Sequence, residues 1–171
     1  MTRFFLLLIF FSCNNKNIIN DFVIKENYAV ESITNSTIKY TFNGKLKAII
    51  KLGKMERFND DQTIYLSEGV KLNFYKNNNL ISTLTSEKAE IDEKNNLLKA
   101  IVNVTLSDTE GKKLKSSSLF WNRDNDEVYT NENVTIKTKD EIIYGSGFKS
   151  DSRFEKYYIK NVKGKFSLNT L

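Results

Sequence analysis

The acidic side chains, 21 in a chain of 171 residues, are the only abundant groups suited to catalysis. The chain has no His, which removes the commonest general base and metal ligand. Its single Cys, Cys13, excludes an intrachain disulfide. Asp124, Asp126 and Glu127 crowd together in the manner of a calcium loop. The Gly and the distal Glu that such a loop needs are missing, so the cluster reads as a hairpin turn. Asp60 and Asp61 read as a solvated turn as well. No spacing pairs two carboxylates for glycoside chemistry, and neither a G-x-S-x-G elbow nor a phosphate-binding loop occurs. The expectation is a protein without catalytic residues, metal site or cofactor, not an enzyme.

Cys13 is the one residue with a specific chemical prospect. Arg3 supplies a positive start, and Phe4–Phe11 is a short apolar run. A bilayer core needs roughly 20 helical residues, so this run is too short to span. With Ser12 before Cys13, the segment resembles the lipobox of bacterial lipoproteins, although Phe10 and Phe11 replace its usual Leu and small residue. The resemblance implies a signal peptide over residues 1–12, removed so that an acylated Cys13 anchors the protein to a membrane. The alternatives are an ordinary secretory signal with an incidental Cys, or a buried free thiol. Asn14, Asn15, Lys16 and Asn17 begin a polar tether read over residues 13–35.

The elements of the remaining chain, residues 36–171, are read as strands. Leu46, Ala48, Ile50 and Leu52 alternate with Lys45, Lys47, Ile49 and Lys51, the period of a half-buried strand. Val70, Leu72 and Phe74 repeat the device, and Leu84 lies in the next run. Leu98, Ala100, Val102, Val104 and Leu106 share one phase. The phase breaks at Leu119-Phe120-Trp121, which reads as a bulge or a strand end. Val128–Tyr129 and Val134–Thr138, with Ile136, read as two further short strands. Polar turns are expected at Asn77–Asn79, Thr109–Lys112 and Asn122–Asp126. Leu46, Leu80 and Leu114 recur at spacings of 34, as do Val70 and Val104. Stacked one-faced units of this kind give a curled sheet with an apolar interior, or a sandwich with a filled core. The final runs, Glu141–Phe148 and Tyr157–Leu168, flank a polar connection, and the last reads as an edge strand. Lysines and acids are interspersed along the chain, with a net charge of +5. That pattern reads as a solvated β surface and not as a nucleic-acid footprint.

Several motifs then fall into a recognisable order: G-K-L-K-A at Gly44–Ala48, E-G-V-K-L-N-F-Y at Glu68–Tyr75 and L-F-W at Leu119–Trp121. D-E-I-I-Y-G-S-G-F-K-S-D at Asp140–Asp151 and V-K-G-K-F at Val162–Phe166 complete it. From Ser36 to Leu168 the chain resembles the LptC family, in a Bacteroidetes-type lipoprotein form. The resemblance implies an all-β, twisted open β-jellyroll (a β-taco) of about fifteen antiparallel strands with an apolar trough. It implies lipopolysaccharide as cargo, passed from an inner-membrane permease and ATPase to an LptA-like periplasmic bridge protein. The expected location is the periplasmic face of the inner membrane, lipid-anchored.

The expected trough residues are Leu46, Ala48, Ile50, Val70, Leu72, Phe74, Leu84, Val102, Val104, Leu106, Phe120, Val134 and Ile136. The expected docking edge is Tyr144, Gly145, Gly147, Phe148, Tyr157, Ile159, Val162, Gly164 and Phe166, where the family's Y-G-x-x-F pattern falls on Tyr144–Phe148. Relatives that span the membrane with a helix differ from this chain, whose start offers only the lipobox. A lipid-anchored structural or adhesive β-domain without lipid cargo is the alternative. A soluble bridge protein of the same fold is a third reading, which Cys13 disfavours. Inhibition of lipoprotein signal peptidase is expected to leave a longer precursor. A Cys13→Ser protein that keeps its mass and still fractionates with membranes would contradict the anchor.

Overall fold

The computed structural model describes residues 29–58 and 62–167. They form ten strands: β1 (Ala29–Phe42), β2 (Lys45–Phe58), β3 (Thr63–Lys76), β4 (Asn79–Ser86), β5 (Lys88–Asp92), β6 (Leu97–Asp108), β7 (Lys113–Asn122), β8 (Glu127–Lys137), β9 (Glu141–Asp151) and β10 (Tyr157–Ser167). All pairings are antiparallel, in one sheet of order β1-β2-β3-β4-β6-β7-β8-β9-β10. β5 continues the line of β4, pairing β3 on one side and β6 on the other. β1 and β10 are the two edges. The polar turns form by the expected chemistry. Asn77 and Asn78 both take positive φ, as the tight type I′ connection between β3 and β4 demands.

The long strands bend midway, and the bends line up. Register shifts occur between Leu52 and Lys54 in β2, Ile101 and Val104 in β6, Ser116 and Phe120 in β7, and Thr130 and Asn133 in β8. In β3 the bend falls at Glu68 and Gly69, both at positive φ, and the gap between β4 and β5 falls at Glu87. Gly69 N–H donates to the Glu87 carbonyl and Glu87 N–H to the Val102 carbonyl, so hydrogen bonding continues across the fold line. A β-bulge adds local twist without ending a strand. The sheet is therefore creased lengthwise into two layers. The first carries residues 45–52, 70–76, 79–86, 104–108, 113–116 and 133–137. The second carries residues 54–58, 63–67, 88–92, 97–101, 118–122 and 127–130.

The crease corrects the strand count from about fifteen to ten. What reads in sequence as strand, bend and short strand is one bent strand, because the ladders run through the bulges. Val128–Tyr129 and Val134–Thr138 merge into β8 for this reason. The strand β1 also begins at Ala29, so residues 29–35 of the segment read as tether are strand. Leu46, Leu80 and Leu114 are not equivalent: Leu80 is exposed and Leu114 buried. Val70, Val104 and Val134, by contrast, each stand just beyond the crease and are buried.

Aromatic rings join the layers. The Trp121 ring stands edge-on to Phe74 at 5.0 Å and to Tyr40 at 5.5 Å. Its indole N–H donates to Asp126 Oδ1 at 3.3 Å, and Asp126 Oδ2 accepts from Ser152 Oγ at 2.8 Å. The Ser152 carbonyl accepts from Ser82 Oγ of the opposite layer. Beside it Phe154, at 0% exposure, packs on Phe148 and Tyr157. Lys112 lies 4.7 Å from the Phe154 ring centroid and donates to the Phe154 carbonyl. The loop between β9 and β10, read in sequence as a polar connection, thus ties the layers together.

Val102 is a β-branched residue at φ 68, a conformation that crowds Cβ, and it is 41% exposed. Val102→Asn is expected to raise the unfolding free energy by about 1 kcal/mol, since Asn tolerates this region better. Leu106→Ala, at a fully buried position, is expected to lower it by about 2–5 kcal/mol. Urea denaturation of the two variants measures both.

Candidate functional site

Stacked inward positions of the first layer form one continuous apolar rung. Ile38 pairs Ile50, Ile50 pairs Leu72, Leu72 pairs Leu84 and Leu84 pairs Leu106. Leu106 pairs Leu114, Leu114 pairs Ile136 and Ile136 pairs Ile143. Eight strands each contribute one aliphatic side chain to this lane. The period of two places it, since each neighbour along a strand points to the other face. A second rung runs in the opposite layer through Ile64, Ile91, Leu98, Trp121 and Val128. The interior between these rungs connects the β1 side of the sheet with the β10 side.

Of the expected trough residues, Ala48, Ile50, Val70, Leu72, Phe74, Leu84, Val104, Leu106, Val134 and Ile136 are buried in this one core, and Leu46 is half-buried. Two lie elsewhere. The bulge at Val102 and Asn103 turns Val102 out to the surface, while Leu98, Ala100, Val104 and Leu106 on either side keep one inward phase. Phe120 is on the outer face of the second layer, stacked on Tyr129 at 5.2 Å beneath Lys99. Its neighbours Leu119 and Trp121 are the inward residues. The three-residue apolar run is buried on one side and supports an outer cross-strand aromatic pair on the other. Sequence reasoning passed over Leu114 and Ile143, which the period of two could have supplied. Phe154 carries no such signal, because a loop has no period.

The expected docking residues separate into two groups. Phe148 is buried, Gly145 and Gly147 are enclosed, and Tyr157 and Ile159 pack partly against the core. Tyr144, Val162 and Phe166 are exposed, and Tyr144 meets Phe166 edge-on at 5.9 Å. Gly164 is half-buried opposite Tyr144. A Cβ at Gly145 would stand 2.5 Å from Ile159 Cγ2 and 2.7 Å from the Asn161 carbonyl oxygen, so β10 crosses close over this position. At the same end, Lys165 and Glu141 pair at 2.6 Å. Burial raises the Tyr157 hydroxyl above its usual pKa, and the Glu141 carboxylate pushes the same way.

The carboxylates that crowd at the β7–β8 turn have structural partners. Asp126 holds Trp121 and Ser152, and Glu127 pairs with Lys149 at 2.5 Å. Among the described residues, no group of His, Cys, Asp or Glu is arranged to hold a metal ion. Nor is any helix among them long and apolar enough to cross a membrane. Cys13, residues 1–12 and Leu168 lie outside the described residues.

The fold and its lining define an all-β protein with an enclosed apolar face between β1 and β10, the edges of the sheet among the described residues. Residues 4–166 match the family model described as lipopolysaccharide-assembly, LptC-related, and the chain belongs to that family. No curated protein matches the chain. Family membership implies involvement in lipopolysaccharide transport, within a periplasmic component of the envelope transport system, and the family is a transport-bridge family.

Gly145→Ala is expected to loosen the β9–β10 pairing. Hydrogen exchange should accelerate in residues 157–167 and stay unchanged in β2, β3 and β4. Unchanged exchange in β10 would show that the strand can shift to admit a methyl group.

Proposed function

We propose that the inward faces of the creased sheet hold the acyl chains of lipopolysaccharide and pass the lipid along the sheet. The carrying observation is the unbroken aliphatic rung from Ile38 to Ile143, which crosses the strands without a polar interruption. An acyl chain lying across the strands exchanges one aliphatic neighbour for the next about every 4.8 Å. Each step trades similar apolar contact, worth about 25 cal/mol per Å², so no single position becomes a deep trap. Direction must come from outside, from the inner-membrane permease and ATPase that deliver the lipid. The free edge of β10, with Tyr157, Ile159, Val162 and Phe166, receives a strand of an LptA-like bridge protein by edge-to-edge addition. Lys160, Lys163 and Lys165 on that strand discourage indiscriminate pairing. Acylation of Cys13 holds the domain at the periplasmic face of the inner membrane.

One observation favours the second reading, a structural or adhesive envelope domain. The lining side chains are already buried against each other, and Phe74, Trp121 and Tyr40 bring the layers into contact. A lipid must therefore part the layers to enter. A photo-crosslinker at Leu106 or Phe74 is expected to capture lipopolysaccharide in cells, while one at Lys71 or Asn103 captures none. Capture from the outward positions alone would contradict the trough and favour the second reading.

A further inference from the structure

The outer surface of the first layer is basic in a way the linear sequence hides. Two adjacent outward rungs can be followed through the register. The first runs Thr37, Lys51, Lys71, Thr85, Thr105, Lys115, Thr135, Tyr144. The second runs Lys39, Ile49, Asn73, Thr83, Ser107, Lys113, Lys137, Ile142 and ends on Phe166. Neither rung contains a carboxylate. Lys39, Lys51, Lys71, Lys113, Lys115 and Lys137 are all exposed, and none appears in an ion pair with a described residue. The outward rung of the second layer does carry carboxylates: Glu56, Tyr65, Glu90, Lys99, Phe120 and Tyr129 follow one another. There Glu90 pairs with Lys99 at 3.6 Å. Alternation and the crease together sort an interspersed sequence into one basic face and one mixed face.

Two of the lysine contacts are unfavourable by themselves. Lys51 stands directly opposite Lys71, and Lys113 directly opposite Lys137. Like charges directly opposite on neighbouring strands are destabilising, at Cβ separations of about 5 Å. Such an arrangement is relieved by an external anion.

We propose that this face lies on an anionic membrane surface, the lysines meeting lipid phosphates. The composition of the face selects a membrane over a protein. Protein interfaces have apolar centres and are depleted of Lys, whereas the ground between these lysines is Thr, Ser and Asn with the single exception of Ile49. The same two rungs also end at β9 and β10 in an apolar tip, the half-buried Ile142 with Tyr144 and Phe166 at 43% and 60% exposure. Aromatic side chains beside lysines suit the headgroup boundary of a bilayer. In this pose the sheet lies flat, the lane of aliphatic side chains runs parallel to the membrane, and the outer backbones of β1 and β10 stay free. The inference does not depend on lipid entering the interior.

The test is face-selective amine labelling of the full chain. The protein is bound to phosphatidylcholine vesicles with or without about 30% phosphatidylglycerol, acetylated, and read residue by residue by mass spectrometry. On anionic vesicles at low salt, Lys71, Lys113 and Lys115 are expected to label at least about fivefold more slowly than Lys88 and Lys160 of the second layer's outer side. At about 0.5 M salt the difference is expected to vanish. The readout is which face is shielded, so attachment through the N-terminal segment leaves it undisturbed. A Lys51→Ser, Lys71→Ser, Lys115→Ser variant should lose the protection of Lys113. Its unfolding midpoint should be equal to or above that of the wild type, because like-charge contacts are removed. Equal labelling of both faces, equal protection on neutral vesicles, or protection by an acidic protein or DNA fragment but not by vesicles would overturn the proposal.

Discussion

Everything in this fold depends on a sheet with one apolar face closing that face against itself. An open meander of ten strands would expose the rung from Ile38 to Ile143 along its whole width. Burying one such side chain contributes about 1.5–3 kcal/mol, so the drive to close is large and spread over many strands. The chain closes by creasing its long strands at about the same height. The crease keeps the backbone ladders intact and brings Phe74 and Tyr40 against Trp121. The edges survive this closure, because folding a sheet lengthwise leaves its first and last strands unpaired on their outer sides.

The same closure sets the terms for a cargo. The contacts between layers are apolar and aromatic, so an acyl chain that parts them replaces like with like. The free-energy difference between a closed and a filled interior is then small compared with either term alone. The tie formed by Ser82, Ser152, Asp126 and Lys112 holds the layers at the β9–β10 loop. The backbone at Glu68, Gly69, Val102 and Asn103 supplies the bend itself, all at positive φ. Interior, crease and edge are therefore separate jobs, done by apolar, small or strained, and Lys-bearing residues respectively.

Strand identity and the inward phase of β2, β3, β4 and β6 were legible because a period of two survives in any solvated antiparallel sheet. Ala48, Ile50, Val70, Leu72 and Phe74 come straight from it. The crease was not legible, since β3, β6 and β8 keep one inward phase through their bends, and β7 alone of β6, β7 and β8 slips, between Leu114 and Leu119. The bulge in β6 turns Val102 outward, the slip in β7 hides Trp121 within a run of three large residues, and the bend in β8 makes one strand look like two. Phe154 was out of reach altogether. Its burial follows from where the loop lands on the opposite layer. Charge segregation was hidden for a related reason. Lys51 and Lys71 are twenty residues apart in sequence but directly opposite in register, and only pairing reveals that no acid stands between them. The family likeness rested on the order of short motifs and implied the all-β antiparallel sheet, while its strand count did not carry over.

The chain has a single Trp, and it stands where the two layers touch. Quenching of Trp121 fluorescence by lipopolysaccharide carrying brominated acyl chains therefore reports directly whether the lipid enters between them. If acyl chains enter between the layers, quenching is saturable, and Leu106→Trp in a Trp121→Phe background shows it as well. Emission from both positions that is unchanged while the lipid demonstrably binds would mean that the interior is a closed core and the cargo travels elsewhere.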